Sequence, residues 1–236
     1  MQRWSADAIE FMRDASEFGS FNQNLTDNIR EYLPANGHVC DAGCGLGYLS
    51  AQLAKICKNV TAVDLSKAAT DFARNKHTAD NLEFLCCDIH SLNEQYDSMV
   101  FCYFGRTNEI LKASKRLSRG NAIIVKRNCS EHRFSVQEIA RKHTVDDTAA
   151  YLAQVGIPFE EKKLSLELGQ PFRTIDDAVR FFRQYDKSNS EISAELILPR
   201  LQMIDHSQYR YYLPEKRSME VIVYQTSDIP KDVCRE

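Results

Sequence analysis

The sequence predicts an α/β protein built on a doubly wound, mostly parallel sheet of seven strands with an antiparallel last strand. Short apolar runs, typical of buried strands, alternate with segments in which apolar residues recur at helical spacing. A glycine cluster at residues 43–47 directly follows the first strand, and acidic residues mark the ends of the first three strands. The alternation implies right-handed crossovers and a sheet that helices cover on both faces.

The chain begins with a segment that precedes the sheet. Within residues 1–35, apolar side chains recur at helical spacing, and the pattern is interrupted at Gly19 and Ser20. We therefore predict two extra N-terminal helices that form a cap on a single domain, 1–236. Residues 34–37 supply the proline, asparagine and glycine of a turn before the first strand.

The core of the domain, residues 37–167, is predicted to alternate strands and helices. The predicted strands are His38–Ala42, Asn59–Val63, Leu82–Cys86, Ser98–Tyr103 and Asn121–Lys126. The predicted helices are Tyr48–Lys58, Ser66–Lys76, Asn108–Leu117 and Val145–Gln154.

The end of the domain is predicted to contain an insertion, residues 168–215, and a last strand within residues 216–226. Hydrophobicity alternates partly along Glu160–Glu167, a helical pattern covers Thr174–Arg183, and an apolar run covers Met219–Gln225. Two late strands with a helical insertion between them predict an antiparallel end to the sheet and a lid over its edge.

Length and composition exclude several classes of protein. A chain of 236 residues fits one α/β domain, and its formal net charge of −3 gives no overall basic field for nucleic acid. The N-terminus lacks the pattern of a secretory signal, and no apolar run reaches the roughly 18–20 residues that a membrane span requires. We expect a cytoplasmic protein with no nucleic-acid or membrane partner.

The eight cysteines do not predict a metal site. They lack the two CxxC pairs of a structural zinc site, and most lie in apolar runs. We expect reduced thiols that pack as small apolar side chains.

The glycine cluster is the strongest indication of a ligand site. In an open α/β sheet, ligands bind beyond the carboxyl ends of the strands, and glycines let a ligand approach the backbone closely. Together, Val39–Gly47, Ala62–Ser66 and Cys87–Ile89 resemble the first three motifs of the class I methyltransferases that use S-adenosylmethionine (SAM). The resemblance extends over residues 37–127 and implies the class I methyltransferase fold, with SAM as cofactor and S-adenosylhomocysteine as product.

The resemblance also implies roles for particular residues. Asp41 would hold the ammonium of the methionine part, Asp64 would accept both ribose hydroxyls, and Asp88 would accept the adenine amino group. Ile89 would pack on the adenine ring, while the glycines let the cofactor lie against the backbone. The full cofactor-binding prediction comprises Asp41, Gly43, Cys44, Gly45, Gly47, Asp64, Leu65, Asp88 and Ile89.

A nicotinamide dinucleotide is the main rival cofactor within this fold. Its G-x-G-x-x-G fingerprint would place the third glycine at position 48, which is Tyr48. An acidic residue at position 41 is also easier to explain beside an ammonium than beside a pyrophosphate. Both observations favour SAM.

The fourth strand supplies two candidates for the acceptor side. Tyr103 and Arg106 follow this strand, where Tyr103 could wall the pocket and Arg106 could meet an anionic substrate. Packing under a loop is the alternative role for Tyr103 and its neighbour Phe104. The strand lacks the Asn/Asp-Pro-Pro-Tyr/Phe motif of many enzymes that methylate amide or exocyclic nitrogens.

The polar segment 126–133 after the fifth strand contains the candidate general base. His132 would titrate near neutral pH, which suits proton removal from an acceptor. An incidental loop histidine is the alternative.

Aromatic residues could also close the acceptor pocket. Tyr209, Tyr211 and Tyr212 precede the last strand, and Phe11, Phe18 and Phe21 lie in the leading helices. Ordinary packing in a core is the alternative for these side chains.

We therefore predict in-line transfer of a methyl group from SAM to a small-molecule acceptor. Three alternatives stay open: a SAM-binding regulatory protein without catalysis, a methyltransferase that modifies protein or RNA, and an enzyme that resembles arsenite methyltransferases. The last is weakened because Cys86 and Cys87 are consecutive in a strand and point to opposite faces.

Overall fold

The computed structural model describes residues 4–128, 134–135, 145–188, 190–231 and 233, and its central element is a seven-stranded sheet. In chain order the strands are β1 (His38–Ala42), β2 (Asn59–Asp64), β3 (Leu82–Cys86), β4 (Ser98–Cys102), β5 (Asn121–Arg127), β6 (Glu160–Glu167), β7 (Gln170–Phe172), β8 (Gln202–Met203), β9 (Tyr211–Leu213) and β10 (Lys216–Gln225). The large sheet has the order β3-β2-β1-β4-β5-β10-β6. Strand β10 runs antiparallel to β5 and β6, and the other pairs are parallel. This topology confirms the predicted fold class.

Helices pack on both faces of the sheet, and some of them precede its first strand in the chain. They are α1 (Ala6–Phe18), α2 (Phe21–Ile29), α3 (Tyr48–Leu53), α4 (Lys67–Lys76), α5 (Thr107–Leu117), α6 (Val145–Gln154), α7 (Ile175–Tyr185) and α8 (Ala194–Ile197). Short 3-10 turns occupy Arg30–Tyr32, Ile89–Ser91, Leu198–Arg200 and Thr226–Asp228. The side chains of Ser5, Ser66 and Thr174 accept backbone N–H groups where α1, α4 and α7 begin, which satisfies donors that the first helical turn leaves open.

One predicted helix is shorter in the structure than in the sequence pattern. The apolar spacing predicts a helix over Tyr48–Lys58, but α3 ends at Leu53. The Asn81 side-chain amide donates to the carbonyls of Ala54 and Cys57, at 2.8 and 3.1 Å. These bonds satisfy carbonyls of the turn that carries the chain from α3 to β2.

Alternation along the strands divides the core between the two faces of the sheet. One face packs against α5 and α6 and includes Met99, Phe101, Ile110, Leu111, Leu117, Ile124, Leu152 and Ile222. The other packs against α2 and α3 and includes Leu25, Ile29, Val39, Leu53, Val100, Val125, Met219 and Val221. Because side chains alternate, the last inward residues of β1 and β4 on the α2 face are Asp41 and Cys102. These side chains come near the carboxyl ends of the strands, where the site lies.

The insertion before β10 differs from the helical segment that the sequence predicts. It contains α7 and α8, but also a small antiparallel sheet in the order β7-β9-β8. Phe11 of α1 packs edge to face on Phe172 and Phe181, with ring centroids 6.3 and 5.1 Å apart. The N-terminal helix therefore shares a core with the insertion.

Ion pairs reinforce this contact between α1 and the insertion. Arg173 pairs with the buried Asp14 at 2.5 Å, and Arg180 pairs with Asp7 at 2.7 Å and with Glu10 at 3.2 Å. Along the described part of the chain, we find no helix with the length and apolar character needed to cross a membrane.

Candidate active site

A cavity of about 760 Å³ lies at the carboxyl ends of β1, β2, β3 and β4. Helices α1 and α2 contribute to its wall through Met12, Ser16, Phe21 and Asn22, and Leu168, which lies between β6 and β7, also lines it. Most of the residues predicted for the cofactor and acceptor line this cavity: Asp41, Gly43, Cys44, Gly45, Asp64, Leu65, Asp88, Ile89, Tyr103 and Arg106.

The glycine cluster forms a turn that only glycine accommodates without strain. Gly43, Gly45 and Gly47 have φ angles of 75°, 54° and 75°. A Cβ on Gly43 would lie 2.6 Å from the Phe104 ring, and one on Gly45 would lie 2.8 Å from the Trp4 ring. The backbone of this loop therefore lies against the cavity without side chains of its own at those two positions.

Gly47 occupies a different environment from the other two glycines. It is buried outside the cavity lining, and a Cβ there would lie 2.6 Å from the ring of Phe84 on β3. Its geometry serves close packing of the loop against the sheet, so a direct contact of Gly47 with a cofactor stays a prediction.

Two backbone N–H groups hold the carboxylate of Asp64 in place. Its Oδ1 accepts the N–H of Ser66 at 2.8 Å, and its Oδ2 accepts the N–H of Gly45 at 2.9 Å. Each carboxylate oxygen has capacity for another hydrogen bond. The carboxylate thus presents two acceptor oxygens in a fixed orientation at the cavity wall.

Asp41 is the buried carboxyl group of the site, with 1% of its surface exposed. The Ser50 hydroxyl donates to its Oδ2 at 2.6 Å. Burial is the main cause that raises the pKa of Asp41 to about 6, the Ser50 hydrogen bond opposes the shift, and the charge of Asp64 adds to it. A cation bound beside this carboxyl would favour its ionised form.

Asp88 and its neighbours form a more open part of the cavity. Asp88 is exposed, and its Oδ1 accepts the backbone N–H of His90 at 2.9 Å, which caps the turn Ile89–Ser91. Ile89 is buried, whereas Leu65 is 53% exposed. These two apolar side chains lie in the cavity lining together with Asp88.

The lining residues fit SAM by three criteria. Gly43 and Gly45 let the backbone of the loop border the cavity, Asp64 offers the paired acceptors that suit a diol, and Asp41 offers a carboxylate that suits an ammonium. The roles of the individual residues toward SAM stay predictions.

Tyr103 has unusual backbone and side-chain environments. Its φ of 55° makes it the non-glycine residue with a positive φ in the described part of the chain. Burial raises the pKa of its hydroxyl, although the positive charges of Arg217 and Arg127 oppose this shift. The phenol stays protonated at neutral pH and can therefore donate a hydrogen bond but not act as a base.

Arginines missed by the sequence reasoning surround Tyr103. The Arg127 guanidinium carbon lies 4.7 Å from the centre of the Tyr103 ring, and Arg217 lies 6.0 Å from the ring centre of Phe21. Both arginines line the cavity, as does the predicted Arg106, which is exposed at the start of α5. Nothing in the local sequence around Arg217 indicates a site, since its position depends on the pairing of β10 with β5.

The remaining predicted residues fall into two groups. His132 lies outside the described residues, so its catalytic role stays a prediction. Cys102 lines the cavity, and burial raises the pKa of its thiol to about 12, which keeps it neutral. Cys86 is exposed, in contrast to the expected burial of the cysteines.

The aromatic residues expected around the acceptor divide between two positions. Phe21 lines the cavity. Phe18 packs on Tyr209 and Tyr212, with ring centroids 5.7 and 5.1 Å apart, and Phe11 belongs to the core of the insertion. Trp4, which the sequence reasoning did not select, lines the cavity against Gly45.

Comparison with known proteins agrees with this geometry. Residues 33–184, more than half of the chain, match the model of a family described as a methyltransferase domain. The chain is 28% identical over 126 residues to a malonyl-(acyl-carrier protein) O-methyltransferase of Acetivibrio thermocellus, covering 45% of this chain and 44% of that protein. It is 42% identical over 69 residues to a ubiquinone biosynthesis O-methyltransferase of Coxiella burnetii, covering 28% of this chain and 30% of that protein. The matches span less than half the length of these curated relatives.

The fold is also similar to solved structures. A SAM-dependent methyltransferase from Methanosarcina mazei superposes with a TM-score of 0.50 at 16% identity, covering 84% of this chain and 96% of that one. At this level of identity the likeness concerns the arrangement of strands and helices alone.

Proposed function

Because the chain belongs to the methyltransferase domain family, whose class I members use SAM, we propose that it transfers the methyl group of SAM to a small-molecule acceptor. The observation that supports this proposal is that one cavity contains both sets of predicted residues. The carboxylates and glycines predicted for SAM line the same cavity as Tyr103 and Arg106, predicted for the acceptor.

Within this proposal, the residues of the chain bind and orient the two reactants. SAM, when bound, supplies a methyl group on a positively charged sulfur that is already a good leaving group. Asp41, Asp64 and Asp88 would hold the cofactor, and the protonated Tyr103 hydroxyl would donate a hydrogen bond on the acceptor side. Alignment of the two reactants can supply much of the rate enhancement.

The wall of the cavity favours a small acceptor over a macromolecule. Trp4 and residues of α1 and α2 line the cavity together with the strand ends, so an acceptor must fit among these side chains. The two relatives compared above are both named O-methyltransferases, which supports oxygen as the atom that receives the methyl group.

Binding of SAM is the first test of the proposal. Trp4 is the single tryptophan of the sequence and lines the cavity, so its emission reports directly on occupancy. Titration with SAM, S-adenosylhomocysteine and NAD should change the emission with the first two ligands alone, and calorimetry should give matching affinities. A folded protein that binds neither adenosyl compound would refute the proposal.

Turnover separates an enzyme from a regulatory binding protein. Incubation with SAM carrying a labelled methyl group and a panel of small hydroxy and carboxylic acids should yield S-adenosylhomocysteine in proportion to labelled product. A protein that binds SAM but transfers the methyl group to protein or RNA, and to none of the small molecules, would contradict the assignment of a small acceptor.

A further inference from the structure

We propose that Asp14 and Arg173 are positioning residues, which fix helix α1 as one wall of the cavity and thereby retain the ligands of the site. This inference rests on the proposed function, since the ligands retained are those of methyl transfer. It gives the insertion, residues 168–215, the task of supporting α1 from the side that faces away from the cavity.

Helix α1 lies between the cavity and the insertion. Met12 and Ser16 of this helix line the cavity. They come two residues before and after Asp14, so at about 100° per residue their side chains lie about 160° around the helix from that of Asp14. Asp14 itself pairs with Arg173 of the insertion. Opposite sides of α1 therefore contact the cavity and the insertion.

The insertion contributes little to the cavity directly. Apart from Leu168, no residue that the structure describes in the insertion lines the cavity. Its side chains instead pack against α1, as the contacts of Phe11 with Phe172 and Phe181 show. The insertion can therefore affect a bound ligand through the position of α1.

The bond between Asp14 and Arg173 is a buried, two-point contact. Asp14 is 2% exposed, and its Oδ2 and Oδ1 accept the two terminal N–H groups of Arg173 at 2.5 and 3.3 Å. The Arg173 guanidinium carbon also lies 5.0 Å from the centre of the Tyr209 ring, which limits its movement. A bidentate contact between two such groups fixes both their distance and their orientation.

Arg180 forms the more exposed ion pairs of the same contact. It pairs with Asp7 and Glu10, whose side chains are 43% and 32% exposed. Ion pairs in contact with water contribute little to stability, whereas removing one partner of a buried pair is strongly destabilising. The position of α1 should therefore depend more on Asp14 and Arg173 than on Arg180.

Arg13 makes the contribution of Arg173 testable. Its Nε and Nη2 donate to Oδ1 of Asp14 at 3.0 and 2.8 Å. Because Arg13 belongs to α1, this bond does not connect the helix to the insertion. Arg173→Met therefore breaks the connection but leaves the buried carboxylate with a charged partner, and we expect the variant to fold.

The position of α1 also affects the glycine loop. Trp4 directly precedes Ser5, the residue that caps α1, and a Cβ on Gly45 would lie 2.8 Å from the Trp4 ring. Displacement of α1 would move Trp4 from this loop together with Met12 and Ser16 from the cavity wall. If a ligand leaves only when α1 is displaced, its dissociation rate is proportional to the fraction of molecules in that state.

The test compares two rates in the full chain. Hydrogen–deuterium exchange of the α1 backbone amides, in the ligand-free protein, measures how often the helix is displaced. Dissociation of S-adenosylhomocysteine, followed by Trp4 emission, measures retention of a ligand. We expect Arg173→Met to increase both rates by the same factor, about 10–100-fold, the effect of losing hydrogen bonds between charged groups. Exchange of the β4 amides should stay unchanged.

Further variants assign the effect to the ion pair. Asp14→Asn should increase both rates similarly, and the double variant should add little, because both substitutions break the same connection. Arg173→Lys keeps the charge and should restore part of the slow dissociation. Arg183→Met is the matched control: Arg183 donates to the Ile192 carbonyl within the insertion at 3.2 Å, so its loss should leave both rates at the parent values.

Four results would overturn the inference. Unchanged exchange of α1 in folded Arg173→Met would show that the ion pair does not fix the helix. Faster exchange with unchanged dissociation would show that α1 does not retain the ligand. Equal acceleration in β4, or an equal effect of Arg183→Met, would assign the pair to general stability. Failure of the parent protein to bind S-adenosylhomocysteine would instead refute the proposed function, while exchange of α1 still tests the ion pair.

Discussion

The ionised carboxyl group of Asp41 should lower the free energy of unfolding at neutral pH, although the same charge favours binding of the cofactor. Its pKa is raised from 3.8 to about 6 in the folded chain, chiefly by burial. At about 1.4 kcal/mol for each pKa unit, this shift corresponds to about 3 kcal/mol. Between pH 4 and 6 the unfolded chain loses this proton while the folded chain keeps it, so the contribution to stability falls as pH rises.

The substitution Asp41→Asn removes the ionisable group and retains an oxygen that can accept the Ser50 hydroxyl. Above pH 6 the ligand-free variant should therefore be more stable than the parent, by up to about 3 kcal/mol. Each kcal/mol corresponds to roughly 2–4 °C in Tm for a domain of this size. Near pH 4 the two proteins should have similar stabilities, because the parent carboxyl is then neutral as well.

The same substitution should have the opposite effect on SAM binding. The ionised carboxylate attracts an ammonium, so the affinity of the parent for SAM should fall as pH drops through 6, about tenfold for each further unit. The variant should bind SAM weakly and with little dependence on pH in this range. Stability would be measured by chemical denaturation between pH 4 and 8, and binding by calorimetry.

The exposed Asp80 provides the control for both measurements. Asp80→Asn lies outside the cavity and should change neither the stability profile nor SAM affinity. If Asp41→Asn were less stable than the parent at pH 7, or kept the parent's change of stability with pH, burial would not be the source of the pKa shift. Unchanged SAM affinity in this variant would remove Asp41 from the cofactor site.

Three further predictions concern the cavity wall. Asp64→Asn replaces one acceptor oxygen with a donor that faces a backbone N–H, so SAM affinity should fall about 10–100-fold, measured by calorimetry against Asp80→Asn. Gly43→Ala places a Cβ against the Phe104 ring at a positive φ, so both Tm and SAM affinity should decrease; a variant with the parent's values would contradict the close approach. Trp4→Phe should abolish the tryptophan emission change while calorimetry still detects SAM, and a persisting signal at tryptophan wavelengths would contradict its source.

The predictable part of the fold is the part that local periodicity encodes. The five parallel strands and the crossover helices bury apolar residues at regular spacing, so their existence and order follow from the sequence. The small sheet in the insertion was not predicted because β7, β8 and β9 contain three, two and three residues. Strands this short have too few residues to show alternation, and their pairing depends on tertiary contacts.

The acidic residues of the candidate site could be predicted from the sequence, but the arginines that line the same cavity could not. Asp41, Asp64 and Asp88 end successive parallel strands, and the carboxyl ends of such strands meet at one edge of the sheet. Arg127 and Arg217 are 90 positions apart in sequence and meet only because β10 pairs antiparallel with β5. No local motif encodes that register, so the sequence reasoning selected Arg106 and missed these two residues.

The division of the cavity between separate strands bears on how this enzyme family can diversify. Residues predicted for the cofactor come from the first three strands, whereas Arg127 and Arg217, which line the same cavity, come from the fifth and last strands of the large sheet. Substitutions at positions 127 and 217 can therefore change one part of the cavity while the strand ends that present Asp41, Asp64 and Asp88 stay the same. The pairing register of β10 limits this freedom, because a slip by one residue would turn Arg217 to the opposite face of the sheet.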